Sequence, residues 1–304
     1  MKTCEFRNFT TCLEWAQEGE RLCRENKLNQ GIECLQKALK IGSEDMRTLS
    51  AVYCQLGNAY FSLRNYDKSV EFHSYDMMLA RLLKDTSGEA KACGNIGNAF
   101  KIQGSFHDAL TFTKRQLELS RQIGDKMCEA RALYNLGSVY HMKGKQTGRM
   151  LKAAAGECSL LSLNSSASQP FLEDLKHAIE YYEENLVLVE EAGDALNCGR
   201  TYGNLGNTYY LLRDFETAIQ YHYKRLDVAR QFGDKSAQRR AYSNLGNAHV
   251  FLSQMEKAIE FYRLALMLAC EMKDRLAEAQ SCFSLANAAS LIADHHTGIF
   301  SSLY

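Results

Sequence analysis

The sequence predicts an all-α fold, a right-handed α-solenoid of about five and a half stacked helix-turn-helix repeats of 40 residues each. Three observations indicate this class: a phrase that recurs at a fixed period, small residues at matched places in paired helices, and a near-absence of proline. The recurring phrase is Leu-Gly-Asn or a close variant. Its second position lies at steps of 40, 40, 69, 40 and 40 residues, occupied by Gly57, Gly97, Gly137, Gly206, Gly246 and Ala286.

The composition supports a helical protein that binds no nucleic acid. Pro170 is the single proline among 304 residues, and proline is the strongest helix breaker. Lys+Arg and Asp+Glu both number 36, so the chain has no basic excess for binding nucleic acid. The 11 cysteines show no C-x-x-C spacing, which predicts buried thiols rather than a metal site. The longest apolar run, residues 264–270, is too short to span a bilayer, so we expect a cytoplasmic protein.

Aspartates mark the joints between successive repeats. They keep the same steps as the glycines and are Asp45, Asp85, Asp125, Asp194, Asp234 and Asp274. Three of them follow a glycine, as in Gly193-Asp194. Glycine readily adopts the left-handed conformation that ends a helix, and aspartate caps the amide groups that open the next one. We therefore predict tight turns between helices at these points.

Within each repeat, the first helix carries the glycine and the second helix carries a small residue 12 positions later. These small residues are Ser69, Ala109, Ala218 and Ala258. Small residues on both helices allow their backbones to approach closely. The order L-G-x-x-Y followed by A-x-x-x-F/Y is the signature of the tetratricopeptide repeat (TPR), whose usual period is about 34 residues. HEAT repeats have a similar period but lack the Leu-Gly/Ala pairing.

The step of 69 residues indicates an insertion of 29 residues in the third repeat, because 69 − 40 = 29. We expect a serine-rich loop at about 145–172 between the two helices of that repeat, with the second helix resuming near Ala178. The first repeat is a weaker match around Trp15. Residues 1–293 are predicted to form the solenoid, and 294–304 an irregular tail. The solenoid would then stop after half a repeat, as expected of a truncated or alternatively spliced product.

Polar side chains recur on the first helix of successive repeats and form the candidate binding site. Asparagines occur at spacing 3, and a basic residue precedes the first of them by four positions, so all lie on one side of the helix. In a TPR stack this side is expected to line the concave groove. Amides can bond an extended backbone, and guanidinium groups can bind acidic side chains. The predicted peptide-binding residues on the first helices are Asn58, Lys91, Asn95, Asn98, Arg131, Asn135, Arg200, Asn204, Asn207, Arg240, Asn244, Asn247 and Asn287, and Arg225 is added from a second helix.

Two alternatives to this groove hypothesis stay open. The amides could bond only within the scaffold, and the basic residues could simply be solvated. An enzyme is not expected: the histidines are interpreted as lying at unrelated repeat positions, and no phosphate-binding glycine loop is present. No cofactor or metal is predicted either. The pair His295-His296 is expected to be solvated.

The repeats resemble the LGN/Pins family of G-protein-signalling modulators (partner of Inscuteable). The similar segments are 129–137, 182–186 and 240–248, together with the insertion inside one repeat, and the resemblance covers about residues 12–289. It implies a polarity adaptor, recruited to the cell cortex, with a role in asymmetric cell division. Its TPR groove would bind extended segments of Inscuteable-like or NuMA/Mud-like proteins and so orient the mitotic spindle.

Members of the family also carry GoLoco motifs that bind Gα-GDP. This sequence contains none, so Gα-GDP binding is not expected of it. The alternative hypothesis is a truncated isoform that acts as a regulatory or self-associating TPR module through its last helix. A chaperone-type clamp that holds a terminal carboxylate is a third interpretation.

Overall fold

The structure, a computed structural model, describes residues 9–155 and 168–301. Within these ranges the chain forms α-helices and no strand. The helices are α1 Cys12–Arg24, α2 Leu28–Ile41, α3 Met46–Ser62, α4 Tyr66–Leu82, α5 Thr86–Gln103, α6 Phe106–Ile123, α7 Lys126–Ala155, α8 Gln169–Glu191, α9 Ala195–Leu211, α10 Phe215–Gln231, α11 Lys235–Phe251, α12 Met255–Glu271 and α13 Arg275–Ser301. None of the described helices combines the length and apolar character needed to cross a membrane.

The helices fall into two compact units, Met1–Lys143 and Gly144–Tyr304, with the boundary inside α7. In unit 1, neighbouring helices pack as antiparallel pairs from α1 to α6. In unit 2, the pairs run from α8 to α13 in the same way. Each unit has its own core, centred on Leu35 and Leu56 and on Ile96 in unit 1, and on Leu245 in unit 2.

The joints between repeats form as the aspartate pattern predicts. Asp234 precedes α11, and its side chain accepts a hydrogen bond of 2.8 Å from the backbone N–H of Ala237. Gly233 precedes it with φ +66°, the left-handed region. Side-chain capping by the matched aspartates recurs at α3, α5, α7, α9 and α13. The two-residue Gly-Asp joint therefore ends one helix and begins the next.

The recurring glycines bring paired helices into close contact. A Cβ placed on Gly206 would lie 2.6 Å from Cε1 of His222, and one on Gly97 would lie 2.6 Å from Cγ2 of Thr113. The small residues on the second helices, Ala218 among them, are fully buried. This confirms the predicted matching of small residues on both helices of a repeat.

The predicted loop at 145–172 is wrong over much of its length. Helix α7 continues to Ala155, and α8 begins at Gln169, nine residues before the expected restart at Ala178. Residues 156–167 lie outside the described part of the chain. The extension of α7 is physically reasonable, because 150–155 consists of strong helix formers. Pro170 lies in the first turn of α8, where proline costs no hydrogen bond.

The predicted irregular tail at 294–304 is also wrong where the structure describes it. Helix α13 runs from Arg275 to Ser301 without a break, so 294–301 has helical backbone, and 302–304 lies outside the described residues. The weak hydrophobic periodicity of 294–301 predicts no helix there. Helical hydrogen bonds are local, however, and the alanine-rich stretch before it lets them continue.

Candidate functional site

Three of the predicted arginines converge on one cavity in unit 2, called here the arginine pocket. Its volume is about 200 Å³. Arg200 comes from α9, Arg225 from α10 and Arg240 from α11. The remaining lining residues are Leu196, Gly199, Val228, Ala229, Phe232, Asp234 and Ala237. The structure therefore brings cationic groups from three successive helices to one place. The sequence spacing alone predicts only that they lie on separate helices.

Local contacts fix the positions of these guanidinium groups. Arg200 Nη1 donates to Asn197 Oδ1 at 3.2 Å, and Arg240 Nη1 donates to Ser236 Oγ at 2.7 Å. Arg225 lies against Gly203, where a Cβ would come within 2.3 Å of Nη1. Gly203 thus leaves the space that Arg225 occupies.

The arginine pocket is cationic with apolar walls. Its charged lining comprises three guanidinium groups and one carboxylate, that of Asp234, which already caps α11. Leu196 and Phe232 remain 53% and 49% exposed, so apolar surface lies beside the charges. A fork of N–H donors next to exposed apolar carbon suits a peptide with a carboxylate and a neighbouring hydrophobic side chain.

The asparagines of unit 2 divide into two groups. Asn244 donates to Asn207 Oδ1 at 2.9 Å, and the hydroxyl of Tyr262 donates to Asn247 Oδ1 at 2.7 Å. These amides therefore use part of their hydrogen-bonding capacity inside the scaffold. Within the described residues, the side chains of Asn204 and Asn287 form no hydrogen bond, and Asn287 is exposed.

Unit 1 has a cavity at the matching place in its repeats, called here the first-unit cavity. Its volume is about 530 Å³, and Lys91 occupies the place that Arg240 has in unit 2. Its other lining residues are Arg47, Ser50, Ala51, Cys54, Asp76, Leu83, Asp85 and Gly88. The offset between matching positions is 149 residues, as between Gly57 and Gly206. Asp76 therefore takes the place of Arg225, so this cavity carries mixed charge.

The remaining unit 1 candidates have different surroundings. Asn135 donates to Gln116 Oε1 at 3.0 Å, and Asn58 lies 3.9 Å from the sulfur of Cys54. Asn95 and Asn98 are half-buried, and their side chains form no hydrogen bond within the described part of the chain. Arg131 is exposed and lines neither cavity. Unit 1 thus keeps amides available at α5 but does not gather three cations.

Sequence reasoning missed the apolar part of the arginine pocket. Leu196 and Phe232 flank Gly-Asp joints and are not among the residues that the sequence pattern singles out. Their place beside a joint between helices could have indicated them, because an apolar side chain there need not pack in the core. Gln116, which holds Asn135, was missed because its partner lies on the next helix pair.

Comparisons with known proteins agree with this architecture. Tetratricopeptide-repeat models match residues 171–231, 50–72 and 240–269. G-protein-signaling modulator 1 of Mus musculus and that of Rattus norvegicus are each 57% identical over 207 residues. The Homo sapiens protein of that name is 47% identical over 202 residues. The resemblance to the TPR region of the LGN/Pins family is confirmed. Each match covers 66% of this chain and 29% of the relative, so the match spans less than a third of the relatives' length.

Solved structures confirm the fold class, an all-α TPR superhelix. Aspartyl phosphate phosphatase F from Bacillus subtilis is similar with a TM-score of 0.65, covering 99% of this chain and 85% of that one, at 12% identity. The apo form of RapI has a TM-score of 0.63, covering 93% of this chain and 99% of the other, also at 12% identity. Identities this low carry the fold alone.

Proposed function

We propose that this chain is a non-catalytic TPR adaptor that holds extended acidic peptide segments, of the kind found in Inscuteable-like or NuMA/Mud-like proteins. The observation that carries the proposal is the arginine pocket, in which Arg200, Arg225 and Arg240 surround apolar surface. The similarity to G-protein-signaling modulators supports a scaffold in G-protein signalling. A role in spindle orientation and cell polarity at the cortex follows from the proposed partners.

The peptide would bind through two complementary sets of contacts. A Glu or Asp side chain would accept hydrogen bonds from the guanidinium groups, and a neighbouring apolar side chain would cover Leu196 and Phe232. Asn204, whose amide is uncommitted within the described residues, would bond the peptide backbone. A hydrogen bond to a charged group contributes about 1.5–3 kcal/mol. Loss of one arginine should therefore weaken binding by roughly 10- to 100-fold.

The test reverses two charges of the arginine pocket. The variant Arg200→Glu/Arg240→Glu should abolish binding of an acidic Inscuteable-type peptide in fluorescence anisotropy, because each change replaces an attraction with a repulsion. Far-UV circular dichroism should stay unchanged, since both side chains are exposed. Unaltered affinity would refute the proposal.

Arg263→Glu is the matched control. Arg263 is exposed on α12, two residues before Ala265, which is the repeat equivalent of Arg225. Two residues turn a helix by about 200°, so Arg263 faces away from the groove position. This variant changes the net charge in the same direction and should bind the peptide normally. Equal loss in the control would show that only general electrostatic attraction had been measured.

The alternative function, a self-associating or regulatory TPR module, is favoured by α13. Leu276 and Phe283 on this helix are 70% and 69% exposed. Paired copies of the helix would bury this surface. Light scattering that shows a strict monomer at high concentration would contradict self-association, whereas a dimer that Phe283→Ser dissociates would support it.

A further inference from the structure

Three side chains of types that can bind a metal lie close together in unit 1, where the sequence predicts no metal site. Cys54 is on α3, and His73 and Asp76 lie one turn apart on α4. One sulfur, one ring nitrogen and one carboxylate oxygen lie within 4.8 Å of one another. His73 and Asp76 are 1% and 6% exposed, so both side chains are almost fully removed from water.

One ring nitrogen of His73 is buried without a hydrogen-bond partner among the described residues. The Nε2 edge of the ring abuts Gly57, where a Cβ would lie 2.6 Å from Nε2. Nδ1 is the nitrogen that has no hydrogen-bond partner among the described residues. A buried polar atom without a partner costs free energy, which a bound ligand would recover.

Asp76 and Cys54 are already linked to each other. The thiol of Cys54 donates to the carboxylate of Asp76, and Ser50 Oγ donates to the same carboxylate at 2.5 Å. Ser50 thus orients Asp76, as the outer partners of metal ligands commonly do. Sulfur, imidazole nitrogen and carboxylate oxygen are the three donor types that zinc accepts.

We propose that Cys54, His73 and Asp76 bind a Zn²⁺ ion, with Nδ1 of His73 as the nitrogen ligand. Bond lengths of about 2.0–2.3 Å in tetrahedral zinc sites place ligand atoms roughly 3.3–3.7 Å apart. Side-chain rotations that move the ligand atoms by about 1 Å bring the cluster to this geometry. Zinc displaces the proton of the Cys54 thiol, which passes to solvent, and the fourth ligand is a water molecule.

The first-unit cavity supplies the entry path for this ion. Cys54 and Asp76 both line it, so two of the three ligands face solvent-accessible space. Its other charged groups are Arg47, Lys91 and Asp85. The two cations oppose metal entry and set a moderate affinity, whereas Asp85 partly offsets them.

The repeat-equivalent positions in unit 2 carry only one of the three candidate ligands. The positions that match Cys54, His73 and Asp76 are Gly203, His222 and Arg225 at the offset of 149 residues. His222 packs against Gly206 as His73 packs against Gly57, and its Nδ1 also has no partner among the described residues. The expectation that the histidines lie at unrelated repeat positions is therefore wrong for His73 and His222, and the histidine alone reflects the repeat scaffold. Only unit 1 adds the sulfur and the carboxylate that make a binding site.

The test is a titration of the full reduced chain with Co²⁺, a spectroscopic substitute for Zn²⁺. We expect one equivalent to give the thiolate-to-cobalt charge-transfer band and the visible bands of tetrahedral Co²⁺, both removed by one equivalent of Zn²⁺. Cys54→Ser should abolish the charge-transfer band. Asp76→Asn, which keeps the sulfur, should lower the affinity at least tenfold and alter the visible bands.

Two controls separate this site from adventitious binding to other thiols or histidines. Cys93→Ser removes another buried thiol of unit 1, and His222→Gln removes the matching histidine of unit 2; both should leave the cobalt spectrum unchanged. Absence of a thiolate band in the wild type, or a band that Cys54→Ser leaves intact, would overturn the proposal. Circular dichroism establishes that each variant is folded, and should Cys54→Ser unfold, Asp76→Asn still decides.

Discussion

The close contact between Gly206 and His222 predicts that Gly206→Ala destabilises the protein when the His222 ring is present and stabilises it when the ring is removed. A Cβ at Gly206 would lie 2.6 Å from Cε1 of His222, whereas ordinary contacts begin near 3.4 Å. The ring is 1% exposed, so it cannot move away into solvent. Gly206→Ala should therefore overpack the interface at a cost of roughly 1–3 kcal/mol. Alanine gains about 1 kcal/mol over glycine as a helix former, which leaves a net loss of about 1 kcal/mol.

Removal of the His222 ring should reverse the sign of the stability change that Gly206→Ala causes. In a His222→Ala background, the three atoms nearest to the new methyl group, all in the ring of His222, are absent, and Gly206→Ala should stabilise the protein by about 0.5–1 kcal/mol. The four proteins form a double-mutant cycle, with an expected coupling of roughly 2 kcal/mol. Urea unfolding followed by circular dichroism at 222 nm gives each free energy. If Gly206→Ala has the same effect in both backgrounds, the contact does not limit helix packing.

Two further predictions concern the helix cap and pH. Asp234→Ala removes the acceptor for the N–H of Ala237 and should lower the free energy of unfolding by about 1 kcal/mol, measured in urea; Asp234→Asn, a good cap, should recover most of it, and equal losses would contradict the capping role. Burial, and secondarily the charge of Arg225, lowers the pKa of His222 to about 3 from the ordinary 6.5. Between these two pKa values the imidazole is protonated in the unfolded chain and neutral in the folded chain. The contribution of His222 to stability is therefore complete above pH 6.5 and is lost as pH falls towards 3. His222→Gln should flatten the thermal-stability profile between pH 7 and 4.5; an unchanged slope would show that His222 is not the group responsible.

Much of the fold could be predicted because the repeats state the same rules several times. The period, the Gly-Asp joints and the small residues at matched positions each recur, and local chemistry explains all three. The predicted ends of α7 and α13 were wrong for a different reason. Helix continuation depends on backbone hydrogen bonds, which persist after the hydrophobic periodicity fades, as in 145–155 and 294–301.

The candidate site was only partly predictable. The spacing of Arg200 and Arg240 predicts that each lies on the asparagine-bearing face of its helix, but their convergence with Arg225 depends on how three helices pack. The asparagines share one pattern in sequence, yet Asn244 bonds Asn207 while Asn204 stays uncommitted within the described chain. Such differences depend on the partner helix.

The proposed zinc site is a case in which the sequence pattern fails to predict a group of side chains that the fold brings together. Cys54 lies 19 residues from His73, and the prediction of no metal site depends on the absence of C-x-x-C spacing among the cysteines. Antiparallel packing of α3 on α4 brings the side chains together. Spatial proximity, which a short sequence pattern does not encode, creates the candidate ligand set.

The central claim is that the guanidinium groups of the arginine pocket bind acidic side chains of an extended peptide. Isothermal titration calorimetry of a cycle between Arg240→Gln and single Glu→Gln changes in an Inscuteable-type peptide tests it most directly. We expect one glutamate to couple to Arg240 by about 1.5 kcal/mol or more, and the others by much less. Affinity losses that are additive in every cycle, with no coupling between Arg240 and any glutamate, would contradict the claim.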